Sequence, residues 1–531
     1  MAWHTRFKER LALGGEPMFA IDFQAPDLLE SDYLRERRYV LHSHEGPAGT
    51  EHISHAIQSV SGSGQRVSLR TWRSSIGGLR VSLSGANVAQ FIAKTIPRGM
   101  MAELKVGFAG FTYDEFETCG LYIFKGLSGS ENNWSMDFHD LFSAFQGADS
   151  VALSAKFYKE AGTATTLQTD WSTTDAEMDL DVSPSEAALF VKDSSSGARG
   201  LVYAQPTTGD PFYVKFTGLD TANRLEVVNA NVIGTTRVDM TAGDSITLMG
   251  YVSDTVPDVA HMILFGGLAG ASTMPTNWHM NLKYATHNVN RADFNRWRSK
   301  WISTYTDFEA DFITDAPLEN PFRGLESFLA AFGAWLVVKE GGLSWRFVEQ
   351  IVGGSSFSAK ECAEYVITDQ DIAQEDTYQL FHPDAPVEYQ QVHFNGPTGG
   401  VAITEPVRTR PGLFRLDHAS KSSVFDEGSS TTNRANAVLN MKHRIVPWYH
   451  RIPDQMSLTL KGWRFAELVP GDVVRLESDY IYDMVNGPDL VVGGSESNRT
   501  HSGTQYLVTG VDVDWNSFTT SVQLSTPPNV A

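Results

Sequence analysis

Alternation of apolar and polar residues near both ends of the chain constrains the fold more than any other feature. In QRVSLRTW, Val67, Leu69 and Thr71 alternate with Arg66, Ser68 and Arg70. After the turn-prone pair Gly77-Gly78, Leu79, Val81 and Leu83 alternate with Arg80, Ser82 and Ser84. A period of two puts one set of side chains on a buried face and the other in water, so each span predicts a β-strand. MAELKVGFAGF and CGLYIFKGLS extend the series. At the other end, TQYLVTGVDVDW, a turn at Asn516-Ser517 and FTTSVQLS make a hairpin pattern. A sheet or barrel at each end follows.

Between these ends, 149–256 is rich in Thr, Ser, Asp and Ala, with short strand candidates set off by Gly-Asp turns. Gly209-Asp210 precedes PFYVKFTG, and Gly243-Asp244 precedes SITLMGYV. Gly supplies the unusual φ of such turns and Asp bonds the local backbone. The stretch reads as a small inserted β module. Pro470-Gly471-Asp472 marks a similar turn before VVRLES.

Helices are few. In NRADFNRWRSKWI, Phe294, Trp297 and Trp301 share one helical face, with Asp293 near its start. Leu325, Phe328, Leu329 and Phe332 form a second stripe ending at Gly333. Ala334 to Val338 then reads as a strand, Lys339 to Gly342 as a turn and LSWRFVEQI as its partner. A third helix is expected over Asn433 to Ile445. At roughly 150 residues per domain, 531 residues suit three or four packed units. The expected division is 1–148, 149–256, 257–355 as an α/β segment, and 356–531.

The charge balance narrows the function. With 63 acidic against 42 basic residues the formal net charge is −21, the reverse of what gripping phosphates requires, so sequence-specific nucleic-acid binding is disfavoured. Two cysteines, Cys119 and Cys362, cannot build a disulfide framework or a four-cysteine zinc site. The opening MAWHTRFKERLALGGEP has no apolar core, so it does not read as a secretory signal. Gly324 to Val338 is too short and too polar to span a bilayer.

His42, His44, His52 and His55 with Glu45 and Glu51 carry ligand types that suit zinc or nickel, but they lack an established metal spacing and read as a polar strand and loop. Asp175, Glu177, Asp179 and Asp181 would be the acids of a glycoside hydrolase; their alternation fits the wet face of a strand more simply. Cys119, beside GLYIF, reads as a small buried hydrophobe. Nucleophile-elbow, phosphate-loop and dinucleotide fingerprints are all missing, and no enzyme or cofactor is expected.

RVSLRTWRSSIGGLRVSLSG, followed by RGMMAELKVGFAGFTYDEFETCGLYIFKGLSG, resembles the N-terminal region of phage tail-hub proteins, the tail-tip or baseplate hub family. The matching turn and strand positions are Trp72, Gly77, Gly78, Arg98, Gly99, Gly107, Phe108 and Gly110, with Gly126 closing the next strand. DPFYVKFTGLDTANRLEVVNANVIGTTRVDMTAGDSITLMGY is similar to that family's small β module. ENPFRGLESFLAAFGAWLVVKEGGLSWRFVE is similar to its helix-plus-hairpin segment. ANAVLNMKHRIVPWYHRIPDQMSLTLKGWRFAELVPGDVVRLES resembles its C-terminal barrel, with Pro470, Gly471 and Asp472 at a turn.

The resemblance implies a mainly β fold with two tube-type β-barrel domains, an inserted small β module and a small α/β segment. It implies a homotrimeric ring in the virion tail tip, made in the host cytoplasm, that joins the tail tube and lines the DNA exit channel. Expected partners are a distal-tail or tail-tube protein ring, the C-terminus of a tape-measure protein, and tail-tip fibre or receptor-binding proteins. No lytic or long fibre-binding extension is evident in the sequence. The alternative expectation is a carbohydrate-binding tail or surface protein using Trp171 and Tyr203 of the inserted module as a glycan platform.

Overall fold

The computed structural model describes residues 3–24, 39–49, 51–62, 64–69, 71–130, 133–140, 161–187, 190, 200–220, 222–232, 236–265, 290–304, 310–314, 325–326, 328–330, 332–348, 351–352, 356–357, 365–373, 379–381, 387–394, 401–406, 414–419, 423–425, 455–482 and 500–526. It is mainly β, as the alternation predicts.

Helix α1 (Thr5–Leu13) opens the first unit; His4 caps it, its Nδ1 accepting from the Phe7 N–H at 3.0 Å. Ten strands follow: β1 (Pro17–Gln24), β2 (Tyr39–His42), β3 (His52–Ile53), β4 (Ile57–Gly62), β5 (Gln65–Ser68), β6 (Arg73–Ile76), β7 (Leu79–Leu83), β8 (Met101–Phe108), β9 (Glu117–Ser130) and β10 (Asn133–Asp140), with α2 (Ala86–Thr95) between β7 and β8. Eight of them form one sheet in the order β3-β2-β1-β8-β9-β10-β7-β4. Leu79, Val81 and Leu83 are buried, as their alternation requires. The core beneath them includes Phe23, Phe124 and Phe138, and Phe108 packs 5.9 Å from the ring of Trp463. The first core thus takes in side chains from far along the chain.

The span predicted as one strand from Val67 to Thr71 breaks at Ser68. The N–H groups of Thr71 and Trp72 turn back onto the Ser68 carbonyl at 3.3 and 2.8 Å, and Trp72 sits at φ 54°. The alternation misleads because Leu69 and Trp72 are buried by packing in the turn, not by a strand. The resulting β5–β6 hairpin leaves the first sheet.

The inserted module contains β11 (Ala164–Leu167), β12 (Glu177–Asp181), β13 (Gly200–Gln205), β14 (Phe212–Leu219), β15 (Arg224–Val232) and β16 (Ser245–Asp254). They run β11-β12-β15-β14-β13-β16, and β11 also pairs with β16, so the ladder closes into a six-stranded barrel. A closed ladder leaves no edge. Asp244, at one of the expected Gly-Asp turns, accepts from the N–H groups of Thr207 (2.9 Å) and Thr241 (2.8 Å).

Helix α3 (Val256–Phe265), helix α4 (Arg291–Thr304) and strand β17 (Ala310–Thr314) lead to a hairpin of β18 (Ala334–Lys339) and β19 (Gly342–Phe347). Phe294, Trp297 and Trp301 of α4 are buried, as are Leu325, Phe328, Leu329 and Phe332. Then come β20 (Ile351–Val352), β21 (Ser356–Phe357), β22 (Val366–Thr368), β23 (Gln379–Phe381), β24 (Val387–Phe394), β25 (Val401–Pro406), β26 (Phe414–Ala419), β27 (Ser423–Phe425), β28 (Gln455–Lys461), β29 (Val473–Tyr482), β30 (Thr500–Asp514) and β31 (Thr519–Ser525). The last large sheet runs β22-β29-β30-β31-β28-β23, and β30–β31 is the hairpin read from the sequence. The β5–β6 hairpin joins this sheet, pairing Arg66 with Gly510 and Gln65 with Val511. The helix expected over 433–445, and Cys362, lie outside the described residues.

Gly200 of the module lies under the buried Phe216 ring, where an added Cβ would come within 2.1 Å. Gly200→Ala therefore overpacks the barrel and lowers its stability by about 1–3 kcal/mol, to be read as a fall in the module's calorimetric transition.

Candidate functional site

The β18–β19 hairpin is buried along its whole length, yet it carries Lys339, Ser344 and Arg346. Buried cations must be neutralised. The partners of these two come from different parts of the chain. Arg346 donates from Nη1 to Asp293 of α4 at 2.6 Å and from Nε to Asp472 at 3.0 Å, while its guanidinium lies 4.6 Å from the Trp297 ring centroid. Lys339 Nζ donates to the other Asp472 oxygen at 3.2 Å and to the Glu467 carbonyl. The Val469 N–H adds a 3.1 Å bond to Asp472. Burial pushes the Asp472 carboxyl up, but Lys339 and Arg346 outweigh it and hold the group below the usual carboxylate range. Burial likewise opposes the Arg346 charge, and Asp472 and Asp293 more than offset it, keeping the guanidinium firmly protonated.

Around this charge cluster the hairpin is gripped from three sides. Asn290 caps α4, its Oδ1 accepting from the Asp293 N–H at 3.1 Å, while its Nδ2 donates to the Lys339 carbonyl at 3.2 Å. From the first unit, Gln65 reaches the edge of β18: its Nε2 donates to the Val338 carbonyl at 2.7 Å and its Oε1 accepts from the Val338 N–H at 3.0 Å. One amide side chain thus completes the ladder as a strand would. Trp72 stacks on Trp335 at 5.8 Å, and Trp335 Nε1 donates to the Pro470 carbonyl at 3.1 Å. Gly471, at φ 106°, lies so close that a Cβ would meet Arg346 Cγ at 2.7 Å. At the hairpin's turn, Glu340 accepts from Lys8 Nζ (2.6 Å) and the Trp3 N–H (3.3 Å), and Trp3 Nε1 donates to the Thr118 carbonyl of β9 at 3.0 Å. A polar cleft of about 460 Å³ opens here, lined by Lys8, Asp293, Arg296, Lys339, Glu340 and Glu467.

The structure brings together four of the eleven turn and strand positions singled out in the sequence: Trp72, Pro470, Gly471 and Asp472. The other seven lie in the first unit. Gly77 and Gly78 connect β6 to β7, Arg98 and Gly99 lead into β8, Gly107 and the buried Phe108 end β8, and Gly110 follows in a turn. Sequence reasoning missed Gln65, Trp335, Lys339 and Arg346. The available signal was a Lys and an Arg set within the otherwise apolar AWLVVK and LSWRFV.

The other candidate chemistries take structural roles. Trp171 is buried at 2% exposure and stacks on Phe212 at 6.0 Å inside the barrel, so it presents no face to a glycan; Tyr203 is half-buried against Tyr213. Asp175 accepts from the Ser172 N–H at 2.8 Å in a turn, and Glu177 pairs with Arg224 at 2.8 Å. Glu177 and Asp181 stand exposed on β12, as expected of a wet face. His42 and His52 meet, but among the described residues no group of three or more His, Cys, Asp or Glu side chains is arranged to hold a metal ion. Burial raises the Cys119 thiol well above its ordinary range, and its Sγ donates to the Glu117 carbonyl at 3.6 Å.

No family model matches the chain, and no curated protein matches it. Among solved structures it is similar to the 43 kDa tail protein of prophage MuSo2 from Shewanella oneidensis, at 9% identity and a TM-score of 0.33, covering 90% of this chain and 96% of that one. Prophage tail protein gp18 from Listeria monocytogenes EGD-e gives 7% identity and 0.32, covering 96% and 95%. A chain of the native gene transfer agent virion gives 12% and 0.18, covering 45% and 82%. These are loose overlaps.

Asp472→Ala leaves two buried cations without their shared anion and should cost about 3–5 kcal/mol in equilibrium urea denaturation. Pairing Asp472→Leu with Lys339→Met removes both charges, leaves Arg346 paired with Asp293, and should recover most of that loss.

Proposed function

We propose that the chain is a structural protein of a phage tail, the tail hub, which closes as a homotrimeric ring joining the tail tube to the tip and lining the DNA exit channel. The reading rests on the four family-like segments, which occur in order along the chain. The observation that carries it is the buried joint: residues of the first and last of those segments, Trp72 and Pro470 to Asp472, meet through one hairpin. Such a joint makes a single stiff body from both ends of the chain, as a collar segment needs, and its charges are consumed internally instead of being offered to a substrate.

On this reading the chain divides into a tube-type hub domain at 1–148, an inserted module at 149–256, an α/β segment at 257–355 and a second tube-type hub domain at 356–531. The β5–β6 hairpin crosses from the first hub domain into the second. Three copies would carry three times the single-chain charge of −21, and an acidic lumen lets DNA pass without gripping its phosphates. Partners are a second and third copy of the chain, the tail-tube or distal-tail ring, the tape-measure C-terminus and tip fibres or receptor-binding proteins. The place of work is the virion tail tip, after synthesis in the host cytoplasm.

Negative-stain imaging of the purified protein mixed with its tube component should show threefold rings stacked on the tube. A monomer that neither closes into rings nor contacts the tube overturns the reading.

A further inference from the structure

The histidine cluster of the first unit is not used by this function, and its geometry is unusual. His42, at the end of β2, is fully buried; its Nε2 lies 2.9 Å from His52 Nδ1 of β3, and its Nδ1 is buried with no hydrogen-bond partner among the described residues. The His44 ring stands 5.1 Å from that of His42, and the Tyr113 ring 5.3 Å from it. The backbone is tied through the same residues: the Ala56 N–H donates to the His42 carbonyl at 2.7 Å and the His55 N–H to the His44 carbonyl at 3.1 Å. β3, two residues long, sits at the sheet edge and, among the described residues, pairs only with β2.

We propose that this cluster is an acid-sensitive clasp: proton uptake by the buried His42, crowded by the His44 and His52 rings, releases the β2–β3 edge and the segment between them while the rest of the sheet stays folded. Every element packed around His42 has a charged or titratable group to weigh. From β1, Asp22 favours a proton on His42, but it is already engaged by Lys105 of β8 at 3.1 Å and by the Tyr113 hydroxyl at 2.8 Å, and Lys105 also approaches Glu103 at 3.6 Å. Glu51 lies 3.8 Å from His52, and Glu45 lies 3.1 Å from His55; both are exposed and weakly coupled. Against them stand the half-buried His44 and His52 rings, each 5.1 Å from the fully buried His42 ring.

Burial, then His44 and His52, lower His42 from 6.5 to about 4, and burial and His55 lower His44. The sign follows from linkage. The closed form takes up the His42 proton only near pH 4, the opened form near 6.5, so the opened form gains as pH falls through that window and the clasp is fully closed above it. A separation of about 2.5 units corresponds to about a 300-fold change in the opening equilibrium from His42 alone.

The test is hydrogen-exchange mass spectrometry on the full chain at pH 7 and pH 4.5, corrected for intrinsic exchange. Amides of 39–57 should lose at least tenfold protection at the lower pH while those of β8, β9, β29 and β30 keep theirs. Protection of 39–57 that is equal at both pH values, or lost across the whole chain together, overturns the proposal. The His42→Gln variant keeps a polar side chain beside His52 without titrating there and should abolish the pH effect; its persistence overturns the proposal. Should that variant fail to fold, a histidine carbon NMR titration of the native chain decides: a His42 midpoint below about pH 5 that coincides with loss of the 39–57 amides supports the clasp, and one near 6.5 sinks it. His261 of α3, also lowered to about 4 by burial, supplies the internal control, since loosening confined to α3 and α4 would overturn the clasp as well.

Discussion

The structure hangs on the contact between Arg346 and Asp472. A guanidinium cannot shed its proton, so once the hairpin is buried Arg346 must be met by anions. The two that meet it, Asp293 and Asp472, come from the start of a helix and from a turn before a strand of the last sheet. Neither can withdraw without stranding charge in a medium that cannot solvate it. Hydrophobic packing would hold these parts together in many relative positions. The bidirectional charge contacts, with Gly471 admitting the close approach, select one.

Two kinds of β unit follow from that anchoring. The inserted module closes its own ladder through β11 and β16, and the far end of β16 carries the pairing on to β17 and β27. The first and last sheets are different. They exchange the β5–β6 hairpin, share a core through Phe108 and Trp463, and accept Gln65 as a substitute strand beside Val338.

Much of this was legible in the residues. The period-two runs at Leu79–Leu83 and in the terminal hairpin, the stripe Phe294, Trp297 and Trp301, and the Gly-Asp turn at Asp244 all fold as their local patterns require, because one local rule determines each. The strand over Val67 to Thr71 failed for the converse reason. Val67 and Leu69 are apolar at strand spacing, but Leu69 lies in a turn beside Trp72, whose burial comes from Trp335, distant in sequence. Trp171 misled in the same way, since an aromatic among Ser and Thr looks exposed until Phe212 is seen against it. The ionic joint was invisible because its members are individually ordinary; only Lys339 and Arg346, set in apolar strands, hinted that countercharges must exist somewhere.

The exchange between the two end sheets sets the order in which the molecule can be made. The Asn516 side chain donates to the Val60 carbonyl across 456 positions, and Gln65 pairs with Val511 on the same sheet. While the ribosome is still translating the middle of the chain, the early hairpin has nothing to join, and its half-made ladder is open to any passing strand. Contacts of such long range make maturation slow and late. The closed insert can mature meanwhile, but the body that surrounds it must wait for the β30–β31 hairpin to emerge.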